Sequence, residues 1–429
     1  MWGYTILLIW SRTNNHPNPI YSEYSEYSEY SEYSENTSSL LKTYDFDEII
    51  PRRHTDCVKH DALELFFGRD DLTPMWVADM DFRTPDFIMD ALRNRCAHEV
   101  LGYAFPPESY WQSVQQWLSR HDNIACVKEE LHFIPGIVAG ISFVLQAMTQ
   151  PGDGILVTTP VYPPFLNLPQ GGGRRLVCSP LKIVDGRFAI DFEDLEWRAR
   201  QCRWLILSNP HNPGGTVWGE ETLRRVAEIC YRNNVNVVSD EIHADMTLSP
   251  RHHVSFSTVS PHAKEISITF MAPSKTFNMA GLGSSVCYCG SQHLRERFFG
   301  YLDAYEVAGG NIFAYTGAEA AFTHGEEWLV QLLHYLEGNV ALLGSYLREH
   351  MPLVKAVLPE ASYLAWLDFS ALGYGHGGIK ERLLDRAHVA LNDGATFGGY
   401  DYRCCFRLNV GCPRATLSDV LDRIARSME

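Results

Sequence analysis

Six short apolar runs in the middle of this chain leave it few folds to adopt. They are "GILVTTPVY" from Gly154, "RRLVCSP" from Arg174, "RWLILSNP" from Arg203, "VNVVSDEI" from Val235, "EISITFMAPS" from Glu265 and "SSVCYCG" from Ser284. Their cores are apolar without the polar alternation of a half-exposed strand, as expected of strands buried on both faces of a sheet. Between the third and fourth runs, "GEETLRRVAEICYRNN" spaces its apolar residues as a helix does. Ahead of them, "ELHFIPG" predicts a strand ending in a turn and "IVAGISFVLQAMT" a helix; "DFIMDALRNRC" and "SYWQSVQQWLSRH" also have helical spacing. This order predicts an α/β fold with one large, mostly parallel sheet. The tail differs. "EEWLVQLLHYLEGNVALLGSYLREH" is one long helical pattern, and "SYLAWLDFS", a helix around "GGIKERLLDRA" and "CFRLNVG" predict a smaller α+β domain.

Composition excludes several classes of function. The chain of 429 residues is 45% hydrophobic, enough for a large core, and carries a formal charge of −16. That sign argues against non-specific nucleic-acid binding and against an anionic membrane surface as partner. No apolar run reaches the length of a membrane-spanning helix. The eleven cysteines form no CxxC, and His252 and His253 have no matching ligand pair, so a reduced cytoplasmic protein without a metal site is expected. The start, "MWGYTILLIWSR", lacks the basic region and cleavage site of a secretory signal. The five "YSE" triplets from Tyr21 to Glu35 fit neither a helix nor a strand and are expected to be disordered.

Chemistry-bearing residues fall where strands end, and in open α/β sheets ligands bind beyond those carboxyl ends. "HFIPGIVAG" is a strand, a glycine turn and a helix start, whose free N–H groups suit a phosphate. Tyr162 follows a strand in "TTPVYPPF", Asn212 sits among turn formers in "LSNPHNPGG", and Asp240 ends a very apolar strand. Lys275, in "MAPSKTFNMAG", has only small hydroxyl and amide residues as polar company. A desolvated lysine loses its charge more readily and attacks carbonyls. Singly, these are ordinary structural features. Together they match the needs of pyridoxal 5′-phosphate: an amine for its aldehyde, a helix start and a hydroxyl for its phosphate, a carboxylate for its ring nitrogen, an aromatic face, and a donor to its ring oxygen.

"NPHNPGG", "SDEIH", "APSKTFNMAGL" and "RLNVGCPR", in this order, resemble fold-type I pyridoxal-phosphate enzymes of the aminotransferase class I/II superfamily. "WVADMDF", from Trp76, is similar to the C–S β-lyases of the cystathionine β-lyase MalY/PatB type. The resemblance implies that Lys275 carries the cofactor and acts as catalytic base, and that Asp240 pairs with the ring nitrogen. It implies that Asn212 donates to the ring oxygen, that Tyr162 stacks on the ring, and that Ile137, Val138 and Ser274 hold the phosphate. His243 stands on the cofactor side. Arg407 would grip the substrate α-carboxylate, with Trp76 beside the substrate. Tyr103 would reach the neighbouring subunit's site, making the working unit a homodimer, and Tyr103 or Tyr162 would assist the leaving group. Two departures turn the likeness away from plain transaminases: His243 replaces a tyrosine three residues after the aspartate, and Gly283 an arginine eight residues after the lysine. The implied reaction is β-elimination from cystathionine or another cysteine S-conjugate, giving a thiol, pyruvate and ammonia. The alternatives are an aminotransferase and a cofactor-binding regulatory protein. The expected division is an extension over 1–42, part of a small domain over 43–90, a large cofactor-binding domain over 91–320, and the rest of the small domain over 321–429.

Overall fold

Seven strands in the computed structural model, which describes residues 42–429, form the large sheet. They are β1 (Leu131–Ile134), β2 (Gly154–Thr159), β3 (Arg175–Pro180), β4 (Trp204–Ser208), β5 (Asn236–Asp240), β6 (Ser267–Met271) and β7 (Ser285–Tyr288). The order is β1-β7-β6-β5-β4-β2-β3, and β7 alone runs antiparallel to its neighbours. Every residue of β2, β4, β6 and β7 is buried, as their unbroken apolar runs predict. The helices used below are α1 (Asp86–Cys96), α2 (Glu108–His121), α3 (Ile137–Met148), α4 (Glu220–Arg232), α5 (Gln292–Tyr305), α6 (Ile312–His324), α7 (Glu326–His350) and α8 (Arg414–Met428).

Side chains alternate between the two faces of a strand, and two core layers follow. Leu156, Leu205, Leu207 and Val237 pack with Leu223, Val226 and Cys230 of α4. Ile155, Val157, Ile206, Val238 and Phe270 pack with Ile141 and Val144 of α3 and with Phe298 of α5. A second sheet has four antiparallel strands, β8 (Lys355–Val357), β9 (Leu364–Asp368), β10 (Asn392–Asp393) and β11 (Cys405–Asn409), in the order β8-β9-β11-β10. Its Leu367, Phe406 and Leu408 join a cluster with Leu343 of α7 and Leu417, Leu421 and Ile424 of α8. Residues Tyr44–Glu429 hold together as one unit. The "YSE" triplets lie outside the described residues.

Register places the site. Ser208 pairs with Asp240, and Asp240 with Phe270. The carboxyl ends of β4, β5 and β6 therefore stand side by side. Ser285, opening the antiparallel β7, pairs with Ile134 at the end of β1 and so starts at the same edge.

Candidate active site

That edge opens into a cavity of about 370 Å³ lined by Ile137, Val138, Tyr162, Asn212, Asp240, His243, Ser274 and Lys275. Ser208, Ser284, Ser285 and Ala78 line it too, and the sequence had singled out none of these four. Pro273–Thr276 form a single helical turn directly after β6, which carries Lys275 into the cavity. Its Nζ donates to the carbonyl of Ala78 at 2.6 Å, and Tyr363 Oη donates to the same oxygen at 3.0 Å. Burial brings the Lys275 pKa down to about 8; Asp79 and Asp240 oppose the shift and Arg407 adds to it.

Asp240 is 7% exposed. Burial pushes its carboxyl up to about 7, against the Ile242 N–H, which donates to Oδ1 at 3.1 Å, and against Lys275. A buried acid held this high lacks a strong cationic partner. His243 is buried and kept neutral, its pKa lowered to about 3 by burial, Lys275 and Arg407, and its Nδ1 has no hydrogen-bond partner among the described residues. Burial also raises the Tyr162 hydroxyl.

Asn212 is fixed from two sides. Its N–H donates to Ser208 Oγ at 3.0 Å, and its Oδ1 accepts from Arg407 Nη1 at 3.0 Å, which leaves the Nδ2 amide as the free donor. His211 next to it bonds the Pro160 carbonyl at 2.8 Å, tying the Asn212 loop to the Tyr162 loop. Arg407 is 3% exposed, and Nη2 donates to the Trp76 carbonyl at 2.9 Å. Its Nε is unpartnered, and among the described residues its terminal nitrogens bond an amide oxygen and a carbonyl, not a carboxylate. Burial lowers its pKa to about 10. A buried guanidinium without an acid is costly in isolation and suits a carboxylate ligand.

At the other end, Gly136 has φ +124°, a conformation that favours glycine, and no side chain caps α3. The first-turn N–H groups of α3 point to where an anion binds best. Gly283, at φ +60°, also borders the cavity, and Lys275 is the one lysine or arginine lining it. A phosphate would thus be met by helix N–H groups and hydroxyls. These groups fit pyridoxal 5′-phosphate: an amine, a buried acid lacking a cation, a free amide donor, an aromatic ring and an uncapped helix start.

Three expected site residues lie outside the lining: Arg407 adjoins it through Asn212, and Trp76 and Tyr103 stand elsewhere. The Trp76 indole donates to the Lys59 carbonyl at 3.0 Å and faces a separate cavity of about 490 Å³ with Phe66, Phe67 and Leu383. Only its carbonyl serves the site, by holding Arg407. "WVADMDF" acts through its main chain: Ala78 O holds Lys275, while Val77 O and Asp79 O each accept from Asn409 Nδ2 at 2.7 Å. Fully buried Lys59, with Arg52, pairs with Asp79 and Asp81 and pins this segment. Tyr103 is fully exposed and lies outside the cavity within one chain.

The fold and these groups define a fold-type I α/β enzyme, the architecture that holds its ligand at the carboxyl ends of a mainly parallel sheet. The chain belongs to the aminotransferase class I and II family, whose model matches residues 77–424. It is 40% identical over 388 residues to cystathionine beta-lyase PatB of Bacillus subtilis, covering 90% of this chain and 100% of that one. It is 30% identical to protein MalY of Escherichia coli over 87% of this chain and 96% of that one. Cystalysin from Treponema denticola, whose crystal structure contains a pyridoxal 5′-phosphate cofactor, superposes with a TM-score of 0.86 at 29% identity, over 90% of this chain and 99% of that one.

Proposed function

We propose that this chain is a pyridoxal-phosphate-dependent C–S β-lyase that cleaves cystathionine or a related cysteine S-conjugate to a thiol, pyruvate and ammonia. The observation that carries the reading is Arg407, buried without an acid beside a cavity that holds Lys275 and Asp240. Likeness to a cystathionine β-lyase favours elimination over transamination. When bound, the cofactor supplies a carbonyl for the amino group and a sink for electrons released at Cα. Arg407 offers a planar fork to the α-carboxylate and so orients the Cα proton. Lys275 takes that proton. With a pKa of about 8, about a tenth of its amine is neutral at pH 7, against about one in three thousand for an ordinary lysine. Asp240 holds a proton on the ring nitrogen by charge, and Tyr162 supplies a face for the ring. Neutral His243 adds no charge to the lining that also holds Asp240. Incubation with cystathionine and no keto acid tests the reading: pyruvate release supports it, and product formed only with added keto acid assigns an aminotransferase instead.

Arg407→Lys keeps the charge but loses the fork. It is expected to lower kcat/KM by about 10- to 150-fold, the range for a hydrogen bond to a charged group. The loss should be equal for every thioether, because the fork meets only the end they share. Steady-state kinetics over a panel of S-conjugates checks it, and a loss confined to one conjugate would move Arg407 to the variable end.

The working unit is a homodimer in this reading. Leu101, Tyr103 and Phe105 are exposed beside a cavity of about 940 Å³ that Phe133 and Phe313 also line. Such an apolar patch suits a second copy, which would place Tyr103 at the partner's site. Mixing inactive Lys275→Ala with inactive Tyr103→Ala chains is expected to restore about a quarter of the sites, since half the dimers are mixed and each mixed dimer has one intact site. Mixtures that stay inactive after subunit exchange would place each site within one chain. A cytoplasmic location agrees with eleven free cysteines, and no helix among the described residues is long and apolar enough to cross a membrane.

A further inference from the structure

Glu241 follows Asp240 in the chain, and its side chain is 0% exposed. Four donors converge on it. Oε1 accepts from Ser239 Oγ at 2.7 Å, from the Phe256 N–H at 2.9 Å and from Asn209 Nδ2 at 3.3 Å. Oε2 meets His253 Nε2 at 2.9 Å. The Glu241 N–H donates to the Phe270 carbonyl at 2.8 Å, which fixes the end of β5 to β6. Asn209 is the link to the cavity. Its main-chain N–H donates to the Asp240 carbonyl at 2.9 Å, and Asn209 begins the loop that carries Asn212. One carboxylate therefore grips both the strand end bearing Asp240 and the loop bearing Asn212.

The surrounding charges favour this grip. Asp122 Oδ1 lies 3.8 Å from His253 Nε2. Asp245 accepts from Trp117 Nε1 and from Thr276 Oγ1, each at 2.9 Å, and Thr276 is the neighbour of Lys275. Burial lowers the His253 pKa, but Glu241, Asp122 and Asp245 together outweigh it and raise it above the ordinary value. His253 Nε2 thus stands between the buried carboxyl groups of Glu241 and Asp122, with half-buried Asp245 nearby. None of these acids lines the cofactor cavity, so none is spent on direct contact with the ligand.

We propose that Glu241, hydrogen-bonded to His253, is a positioning residue that fixes Asp240 and Asn212 relative to one another. In that reading the two side chains serve two positions of one planar ring, the nitrogen and the oxygen, yet Asp240 ends β5 and Asn212 stands in the loop after β4. Their separation must match a rigid ligand, and a misplacement of about 1 Å costs about 100-fold in rate. The inference rests on the cofactor reading above, and the test keeps the two apart. Wild type, Glu241→Gln and His253→Gln are compared as purified with pyridoxal 5′-phosphate. Glu241→Gln keeps its bulk and one acceptor but loses the charge. It is expected to release cofactor on dialysis about tenfold faster or more, to shift the cofactor's visible band, and to lower kcat for cystathionine about 10- to 100-fold with KM changed less than threefold. His253→Gln should move the same three readouts in the same direction by less, since a hydrogen bond to Glu241 remains. If the variants melt at lower temperature but keep the wild-type band, release rate and kcat, the pair is a core ion pair only and the proposal is overturned. If Glu241→Gln does not fold, His253→Gln decides alone, and wild-type behaviour there overturns it. A wild-type protein that shows no cofactor band sinks the cofactor reading itself.

Discussion

Lys275→Ala is expected to leave a folded protein whose kcat on any thioether amino acid falls by at least about 10⁴-fold, the upper range for loss of a single acid–base group. In the proposed reading two functions vanish together: the amine that would hold the cofactor and the base that would take the Cα proton. The fold should survive, because Tyr363 Oη still donates to the Ala78 carbonyl that Lys275 Nζ leaves. Borohydride treatment followed by peptide mapping is the direct readout. Wild type should carry the reduced cofactor on the peptide with Lys275, and the variant should carry none. Lys275→Arg separates charge from basicity. It keeps a cation near Asp240 but has no accessible neutral form, so it should be as inactive as alanine. Cofactor trapped on another lysine in Lys275→Ala would reassign the site.

The cavity-lining side chains were legible because each sits where an apolar strand stops, and strand ends are visible in sequence. Asp240, Asn212, Lys275 and Tyr162 all line one cavity for that reason. The antiparallel direction of β7 was not legible, since an apolar run of four residues reads the same in either direction. Helix α6 escaped as well. Buried residues such as Ala314, Tyr315, Ala318 and Phe322 surround it, so it lacks the one-sided stripe that marks a surface helix. Trp76 shows a second limit. A sequence motif names side chains, but here the carbonyls of Trp76 and Ala78 hold Arg407 and Lys275. Glu241 was hidden for a similar reason: its partners Asn209, His253 and Phe256 come from three separate places in the chain. Tyr103 is exposed in the single chain, which leaves the role expected of it to the mixing experiment.

Asp240→Asn is expected to act with opposite signs on stability without cofactor and on activity with it. In the protein alone, burial raises the Asp240 pKa from 3.8 to about 7. A carboxyl with a raised pKa binds its proton more tightly in the folded state. Its favourable contribution is complete below the unfolded value and is lost as pH rises through about 7. At pH 8 the ionised, buried carboxylate therefore costs stability, and an asparagine that still accepts the Ile242 N–H avoids the cost. The cofactor-free variant should be more stable than wild type by about 2–4 kcal/mol at pH 8 and by much less below pH 4. Denaturant unfolding of both proteins across this range reads the difference, which includes the smaller coupled response of Lys275. With cofactor bound, a protonated ring nitrogen would give the carboxylate the strong cationic partner that the cavity lacks. Asparagine cannot hold that proton by charge, and removal of one group that stabilises developing charge costs about 3–4 kcal/mol, or about 10²–10³-fold in kcat. A variant no more stable than wild type at pH 8 would show that Asp240 is already paired without the cofactor. Turnover near the wild-type rate would show that the ring nitrogen is not served by Asp240.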